Sequence, residues 1–292
     1  MFDTKEKFEY LECSVCGCVQ IKSIPQNTHE YYPNSYYSFN QKEYGSKAYR
    51  KIKDFLISQY VDYLLGNKKN LLGFLASKRY SARYYWLTSS LCSRSSKILD
   101  IGCGSGLLIR EMRKHGFNNI IGIDPYIEDD IYWDKQILVE RKDVFQVNDK
   151  FDFIMLHHSF EHMNNQIEVM HGIYKILNPS GYVLIRIPVV GYAFEKYQEN
   201  WYQLDAPRHF FLHTLKSMQT LAEKTGFEIK EVLFDSNESQ FINSEIYLKG
   251  SNAVNNGKDF FDKKQIKEFK ANAKELNLSG KGDQACFYLY KK

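Results

Sequence analysis

The stretch "ILDIGCGSGLLIREMRKHGFNNIIGIDPY", residues 98–126, carries the pattern that decides the fold. It opens on a short apolar run, "ILDI", that reads as a strand. A glycine cluster follows, and then a helix with Leu107, Leu108 and Met112 on one face. Gly116 stands where a helix C-cap belongs, and "IIGID" is a second strand. Glycines between strand and helix let the backbone turn sharply and approach a ligand, toward which the helix points its free N–H groups. Asp124 ends the second strand 18 residues beyond Gly106, placed to accept hydrogen bonds from ribose hydroxyls. The glycine spacing is G-x-G-x-G, not the G-x-G-x-x-G of dinucleotide sites, and no Gly-Lys-Ser/Thr follows. Asp100 directly precedes the loop. A carboxylate there is unfavourable beside a pyrophosphate and favourable beside a cation or an ammonium group.

Outward from this stretch the alternation continues. "FDFIML", "YVLIRIP", "FEIKEVLF" and "ACFYLY" read as strands. Helices are expected around Ile167–Leu177, from a Thr214 cap through Leu215, Met218, Leu221 and Ala222, and around Ile266–Leu276. Repeated β-then-α units predict a Rossmann-like, mostly parallel sheet with helices on both faces. Before it, Tyr49, Ile52, Leu56, Tyr60, Tyr63 and Leu64 keep a helical period, "GNKKN" breaks it, and a second aromatic helix is expected to about Leu91. Residues 1–40 read as loop. The expected division is residues 1–92, a partial cysteine knuckle with a helical cap, and residues 93–292, the ligand-binding α/β domain.

The chain of 292 residues is 43% hydrophobic and 25% charged, an ordinary globular composition. A net charge of +4, with no long basic run, gives no argument for a nucleic-acid partner. No run of 18 apolar residues suggests a membrane span, and "MFDTKEKFEY" lacks the apolar core of a signal peptide. Six cysteines in so long a chain do not suggest a secreted disulfide scaffold, so a reducing, cytoplasmic location is the expectation. Oligomeric state is not legible.

In its glycine loop and following acid the chain resembles the class I S-adenosylmethionine-dependent methyltransferases, over roughly residues 97–292. That cofactor has a sulfonium and an α-amino group and no phosphate, which suits Asp100. The resemblance implies seven strands with the last antiparallel. It places Gly102, Cys103, Gly104 and Gly106 under the methionine part, Asp124 at the ribose, and Asp143 of "RKDVF" near the adenine amino group. Cys103 reads as a small side chain that fits, not as a nucleophile.

Two histidine-bearing segments come next. "HHSFEHM", residues 157–163, stands after the strand "FDFIML", at the end where ligands of open α/β sheets bind; His157, Glu161 and His162 are expected near the cofactor. "WYQLDAPRHFFLHT", residues 201–214, is long for a connection and reads as a substrate-binding lid. It resembles the W…D-x-P-x-H segment of one methyltransferase subfamily, whose members often sit in surface-polysaccharide and sugar-modification pathways. A sugar hydroxyl needs its proton removed, and His is the usual base. His209 is the first candidate and His162 the second, with Asp205 orienting His209 or binding a substrate hydroxyl, and Arg208 binding an anionic group on the substrate.

"YLECSVCGCVQIKSIP" offers Cys13, Cys16 and Cys18, half of a four-ligand zinc site. Subfamily relatives begin with a zinc ribbon. This segment matches the second half of that ribbon, and "YYPNSYYSF" matches the aromatic stretch beyond it. The first cysteine pair is missing, so the ribbon reads as incomplete and no metal is expected; zinc through these three and His29, or shared between two chains, is the minor alternative. The function expected is methyl transfer from S-adenosylmethionine to a small polar acceptor, a sugar or glycan precursor. The alternatives are a nucleotide-sugar or nicotinamide enzyme and a non-catalytic adaptor.

Overall fold

The computed structural model describes residues 6–31, 46–87, 92–250 and 260–292. In chain order the first elements are β1 (Tyr10–Glu12), β2 (Val19–Ile21), α1 (Lys47–Leu64), α2 (Leu71–Tyr80), β3 (Ile98–Ile101), α3 (Leu107–Lys114), β4 (Ile120–Ile123), β5 (Ile131–Trp133), β6 (Gln136–Glu140) and β7 (Phe151–His157). They are followed by α4 (Gln166–Ile176), β8 (Leu177–Pro188), α5 (Tyr192–Tyr197), β9 (Phe211–Leu212), α6 (Leu215–Lys224), β10 (Phe227–Phe234), α7 (Ser239–Leu248), α8 (Lys263–Leu278) and β11 (Gln284–Lys291).

The chain forms two compact units. The first comprises Asn34–His157, Val169–Leu184 and Tyr290–Lys292. Its strands run in the order β8-β7-β3-β4-β6-β5. β3 pairs in parallel with both β4 and β7, and β4 with β6, so their carboxyl ends share one edge. Ile98, Leu99, Phe153, Ile154 and Met155 are fully buried in the middle of that sheet, as near-continuous apolar runs in covered parallel strands should be. β5 pairs antiparallel with β6 and is an addition to the seven strands that the resemblance implies. The sequence reading missed this hairpin because Asp134 and Lys135, its two turn residues, lack the usual glycine; both take positive φ (49° and 63°).

Helices α1 and α2 form a hairpin. Asn70 caps α2 by accepting from the Gly73 N–H at 2.9 Å and donates to the Gln59 side chain at 3.0 Å. A Cβ on Gly73 would lie 2.3 Å from the Gln59 carbonyl, so the close helix contact requires glycine. α2 stops at Tyr80, short of the expected Leu91; residues 81–87 form turns, and 88–91 lie outside the described residues.

The second unit comprises Met1–Pro33, His158–Glu168 and Ile185–Leu289. Its strands run β10-β11-β8, beside a separate three-stranded sheet, β1-β2-β9. The cysteine segment is therefore a β-hairpin rather than loop, with Val19 of β2 opposite Leu212 of β9. That long-range pairing places the hairpin in one unit with residues 185–289. The run "YYPNSYYSF" lies outside the described residues except for Tyr31, as does the side chain of His29.

The core of this unit joins Val19, Ala193, Tyr197, Trp201, Leu212, Phe241 and Ala273. The segment expected as a lid is part of that core. Trp201 is 0% exposed and its Nε1 donates to Asp283 Oδ2 at 2.9 Å. The indole is the largest apolar side chain of the segment, and its burial is matched by a partner for its N–H. Burial raises the Asp283 carboxyl to about 6, above its ordinary 3.8. The stability this group contributes is therefore present below pH 3.8 and is lost as pH rises through about 6. Trp201→Phe keeps an aromatic ring and removes the donor. Urea unfolding should show a loss of about 1–3 kcal/mol at pH 8, smaller at pH 5 where Asp283 is protonated; an equal loss at both pH values would refute the role given to this hydrogen bond.

Candidate active site

β3 and β4 end on the same edge of the first unit, and the glycine loop leaves from β3. Gly102, Gly104 and Gly106 take φ of 72°, 54° and 70°, the left-handed region in which other residues are strained. Gly106 is the N-cap of α3 and offers no side chain to it; a Cβ there would sit 2.6 Å from Val139 Cγ2. The loop is thus drawn tight against β6, and the first N–H groups of α3 have no side-chain cap.

Asp124, 8% exposed, ties the loop to the end of β4. Its Oδ2 accepts from the Gly104 N–H at 2.9 Å and its Oδ1 from the Tyr126 N–H at 2.9 Å. Both oxygens keep lone pairs for a ligand hydroxyl. Asp100, 3% exposed, is pushed well above the usual carboxylate range, by burial first and then by the nearby charge of Asp124. Two acids so placed favour a positive ligand. Burial likewise pushes the Cys103 thiol far up, so Cys103 is no thiolate nucleophile. A residue the sequence reading passed over explains its size: a Cβ on Gly122 would lie 2.2 Å from Cys103 Sγ and 2.4 Å from Ile109 Cδ1.

Asp143, expected near an adenine, is half-buried and caps the short helix Val144–Gln146; its Oδ1 accepts from Phe145 N–H at 2.8 Å and Gln146 N–H at 3.2 Å. His157 closes β7 with its ring packed edge-on to Trp86, centroids 4.6 Å apart. These residues all belong to the first unit.

The second unit gathers the other candidates. The short helix Phe160–His162 and the turns through Trp201–His209 converge on Glu161, which is 0% exposed. His158 Nδ1 lies 3.5 Å from Glu161 Oε1, and His209 Nε2 lies 4.0 Å from it. His209 Nε2 is also 3.6 Å from Asp205 Oδ2, and Asp205 forms a buried ion pair with Arg208. Asp205 thus faces the Nε2 edge of His209, while Arg208 is engaged with Asp205. Tyr10 Oη donates to the His209 carbonyl at 2.9 Å, which anchors this turn segment from the hairpin side.

The ring orientations follow from backbone partners. His162 Nδ1 lies 2.8 Å from the Arg208 carbonyl and His209 Nδ1 lies 2.7 Å from the Gln203 carbonyl. A carbonyl only accepts, so each Nδ1 carries the proton and each neutral ring has its lone pair on Nε2. Burial lowers both rings to about 4. Burial alone would raise Glu161, but the His158 contact and the surrounding imidazoles hold it at about 2. At neutral pH Glu161 is ionised beside the neutral rings of His162 and His209. His213, a third histidine buried here, is satisfied on both nitrogens, by Ser217 Oγ at 2.9 Å and Gln166 Oε1 at 2.8 Å, and has a structural role.

Among the described residues, two clusters bring three ligand-type atoms within 4.8 Å of one another: Glu161, His162 and His209, and Asp54, Glu111 and His115. The three cysteines are not such a cluster. Cys13 is exposed, Cys16 half-buried and Cys18 buried, all as free thiols around a turn closed by the Gly17 N–H to the Cys13 carbonyl at 2.7 Å.

Known proteins place the chain. Phosphoethanolamine N-methyltransferase 2 of Caenorhabditis elegans is 28% identical over 173 residues, half of this chain and 39% of that protein. EEF1A lysine methyltransferase 2 of Danio rerio is 44% identical over 39 residues, 13% of this chain and 17% of that protein. The chain thus spans less than half the length of these curated relatives. Among solved structures, a SAM-dependent methyltransferase from Archaeoglobus fulgidus is 20% identical, with a TM-score of 0.45 over 75% of this chain and 93% of that one. One from Mesorhizobium loti is 16% identical, with a TM-score of 0.45 over 72% and 96%. Residues 68–232, more than half of the chain, match the family profile described as "Methyltransferase domain", and the chain belongs to that family.

Proposed function

We propose that the protein transfers the methyl group of S-adenosylmethionine to a small polar acceptor carrying a hydroxyl, a sugar or glycan precursor. The observation that carries the cofactor is the pairing of Asp100 and Asp124 at a loop of left-handed glycines. Two buried acids suit a ligand that is cationic and bears a ribose, and they disfavour a pyrophosphate. When bound, the cofactor supplies a methyl carbon activated by its positive sulfur. Gly102, Cys103, Gly104 and Gly106 would hold its methionine part with Asp100, Asp124 would hold the ribose, and Asp143 and His157 would border the adenine side.

Acceptor activation is assigned to the second cluster. His209 and His162 each present a lone pair on Nε2, held by an Nδ1–H donated to a carbonyl, the arrangement that accepts a hydroxyl proton. Asp205, 3.6 Å from His209 Nε2, stabilises the imidazolium that results. A hydroxyl acceptor is favoured because an unprotonated amine needs no such base. Sugar chemistry is supported by the subfamily-like W…D-x-P-x-H segment, here Trp201, Asp205, Pro207 and His209.

Calorimetry with S-adenosylhomocysteine tests the first part. The wild-type chain should bind it and should not bind NAD. Asp124→Ala should bind it ten- to a hundredfold more weakly, since about 1.5–3 kcal/mol attends a hydrogen bond to a charged group. Binding of NAD in its place, or unchanged binding by Asp124→Ala, would sink the assignment.

Methyl incorporation from labelled cofactor across a panel of nucleotide-linked and free sugars tests the second. His209→Gln and His162→Gln should lower kcat, the more important base by about 10²–10⁴-fold, with KM little changed. Full turnover in both variants would remove the histidines from the reaction.

A further inference from the structure

Glu161 is fully buried, and neither of its carboxylate oxygens has a hydrogen bond among the described residues. An ionised carboxylate so placed is costly unless a cation answers it. Arg208 is committed to Asp205, whose Oδ1 is itself buried without a hydrogen bond. The nearest groups to Glu161 are imidazoles.

Those imidazoles are set up as ligands. His162 and His209 come from separate segments of the chain, and each is fixed by an Nδ1–H donated to a backbone carbonyl, at 2.8 and 2.7 Å. Metal-bound histidines are held in this way, with one nitrogen donating to an outer partner and the other keeping its lone pair for the ion. The rings meet edge to face with centroids 4.8 Å apart. Ligand atoms of Glu161, His162 and His209 all lie within 4.8 Å of one another, which the roughly 2.0–2.2 Å bonds of a transition ion would close with small side-chain shifts.

We propose that Glu161, His162 and His209 bind one divalent first-row transition ion through one carboxylate oxygen and two imidazole nitrogens. Two imidazoles and a carboxylate suit zinc, manganese, iron or cobalt and leave coordination positions open for oxygens of a bound acceptor. His162 is only half-buried and gives the ion its way in. The inference rests on the proposed function only for the ion's use, which would be to bind and orient oxygens of the acceptor. The second cluster, at His115, is a weaker candidate. Its Glu111 is already paired with Lys114 at 3.1 Å and Arg83 at 3.3 Å, and His115 Nδ1 is engaged by Tyr84 Oη at 2.7 Å.

Cobalt(II) titration of the chelator-stripped full chain tests the site without any methyl acceptor. The expected result is one equivalent bound with a nitrogen/oxygen visible spectrum and no thiolate charge-transfer band. Glu161→Gln and His209→Gln should each weaken it at least tenfold, and the Cys13→Ser/Cys16→Ser double variant should retain it. His162→Gln, at a less buried position, serves if either of the first two fails to fold by circular dichroism. No binding at millimolar cobalt would overturn the proposal. So would a thiolate band, or full binding in the folded Glu161, His209 or His162 variant. If cobalt binds as expected while S-adenosylhomocysteine does not, the metal site stands and the methyl-transfer reading falls. If S-adenosylhomocysteine binds and cobalt does not, the reverse holds.

Discussion

Glu161 is a carboxylate at 0% exposure, and the chain around it is organised by that charge. Its backbone carbonyl accepts from the Phe210 N–H at 2.8 Å, so the charged residue is also where the 158–162 segment is fastened to the 201–213 segment. His158 can face it because its φ of 51° turns the chain back on itself directly after β7. On the other side, Asp205 takes φ of 40°, and the two histidines are held by carbonyls rather than by side chains. Left-handed residues that are not glycine are costly and persist where the surroundings over-determine them. Two of them, His158 and Asp205, flank one buried charge here.

The first unit answers the same problem differently. Asp100 has a second acid beside it instead of imidazoles, and its protonation equilibrium shifts upward. Where Glu161 is held ionised, Asp100 is held toward the neutral acid. Burial is thus answered in opposite senses at the two acids, by imidazoles around one and by a second carboxylate beside the other.

The sheet of the first unit was legible because its information is local. β3, the loop and α3 form a strand run, a glycine cluster and a helical face within a few residues, and the parallel strands are uninterrupted apolar runs. The polar site was legible as residue types but not as partners. Trp201, Asp205, Arg208 and His209 stood out as an unusual concentration, yet that Trp201 would bond Asp283, 82 residues on, depends on folding over a distance no spacing rule covers. The reading of this segment as a lid did not foresee that burial for the same reason: polar residues in a long connection suggest exposure unless their buried partners are known. The cysteine hairpin escaped for a similar reason, since β1 and β2 have three residues each and gain their sheet from β9, far along the chain. Glu161 itself was visible beside His162, but nothing in "HHSFEHM" distinguishes a solvated acid from a buried one.

Asp124 illustrates how far one side chain can be constrained by backbone. Both of its oxygens accept from N–H groups, those of Gly104 and Tyr126. An asparagine would turn one of these acceptors into a donor facing a donor, and either the loop or the turn after β4 would lose its tie. A glutamate would add a methylene beside a loop already so close to its neighbours that Gly106 and Gly122 have no room for a Cβ. An aspartate at this place is therefore required by the protein's own geometry before any ligand binds. The acid that marks the family in sequence is the one that holds the glycine loop in its shape.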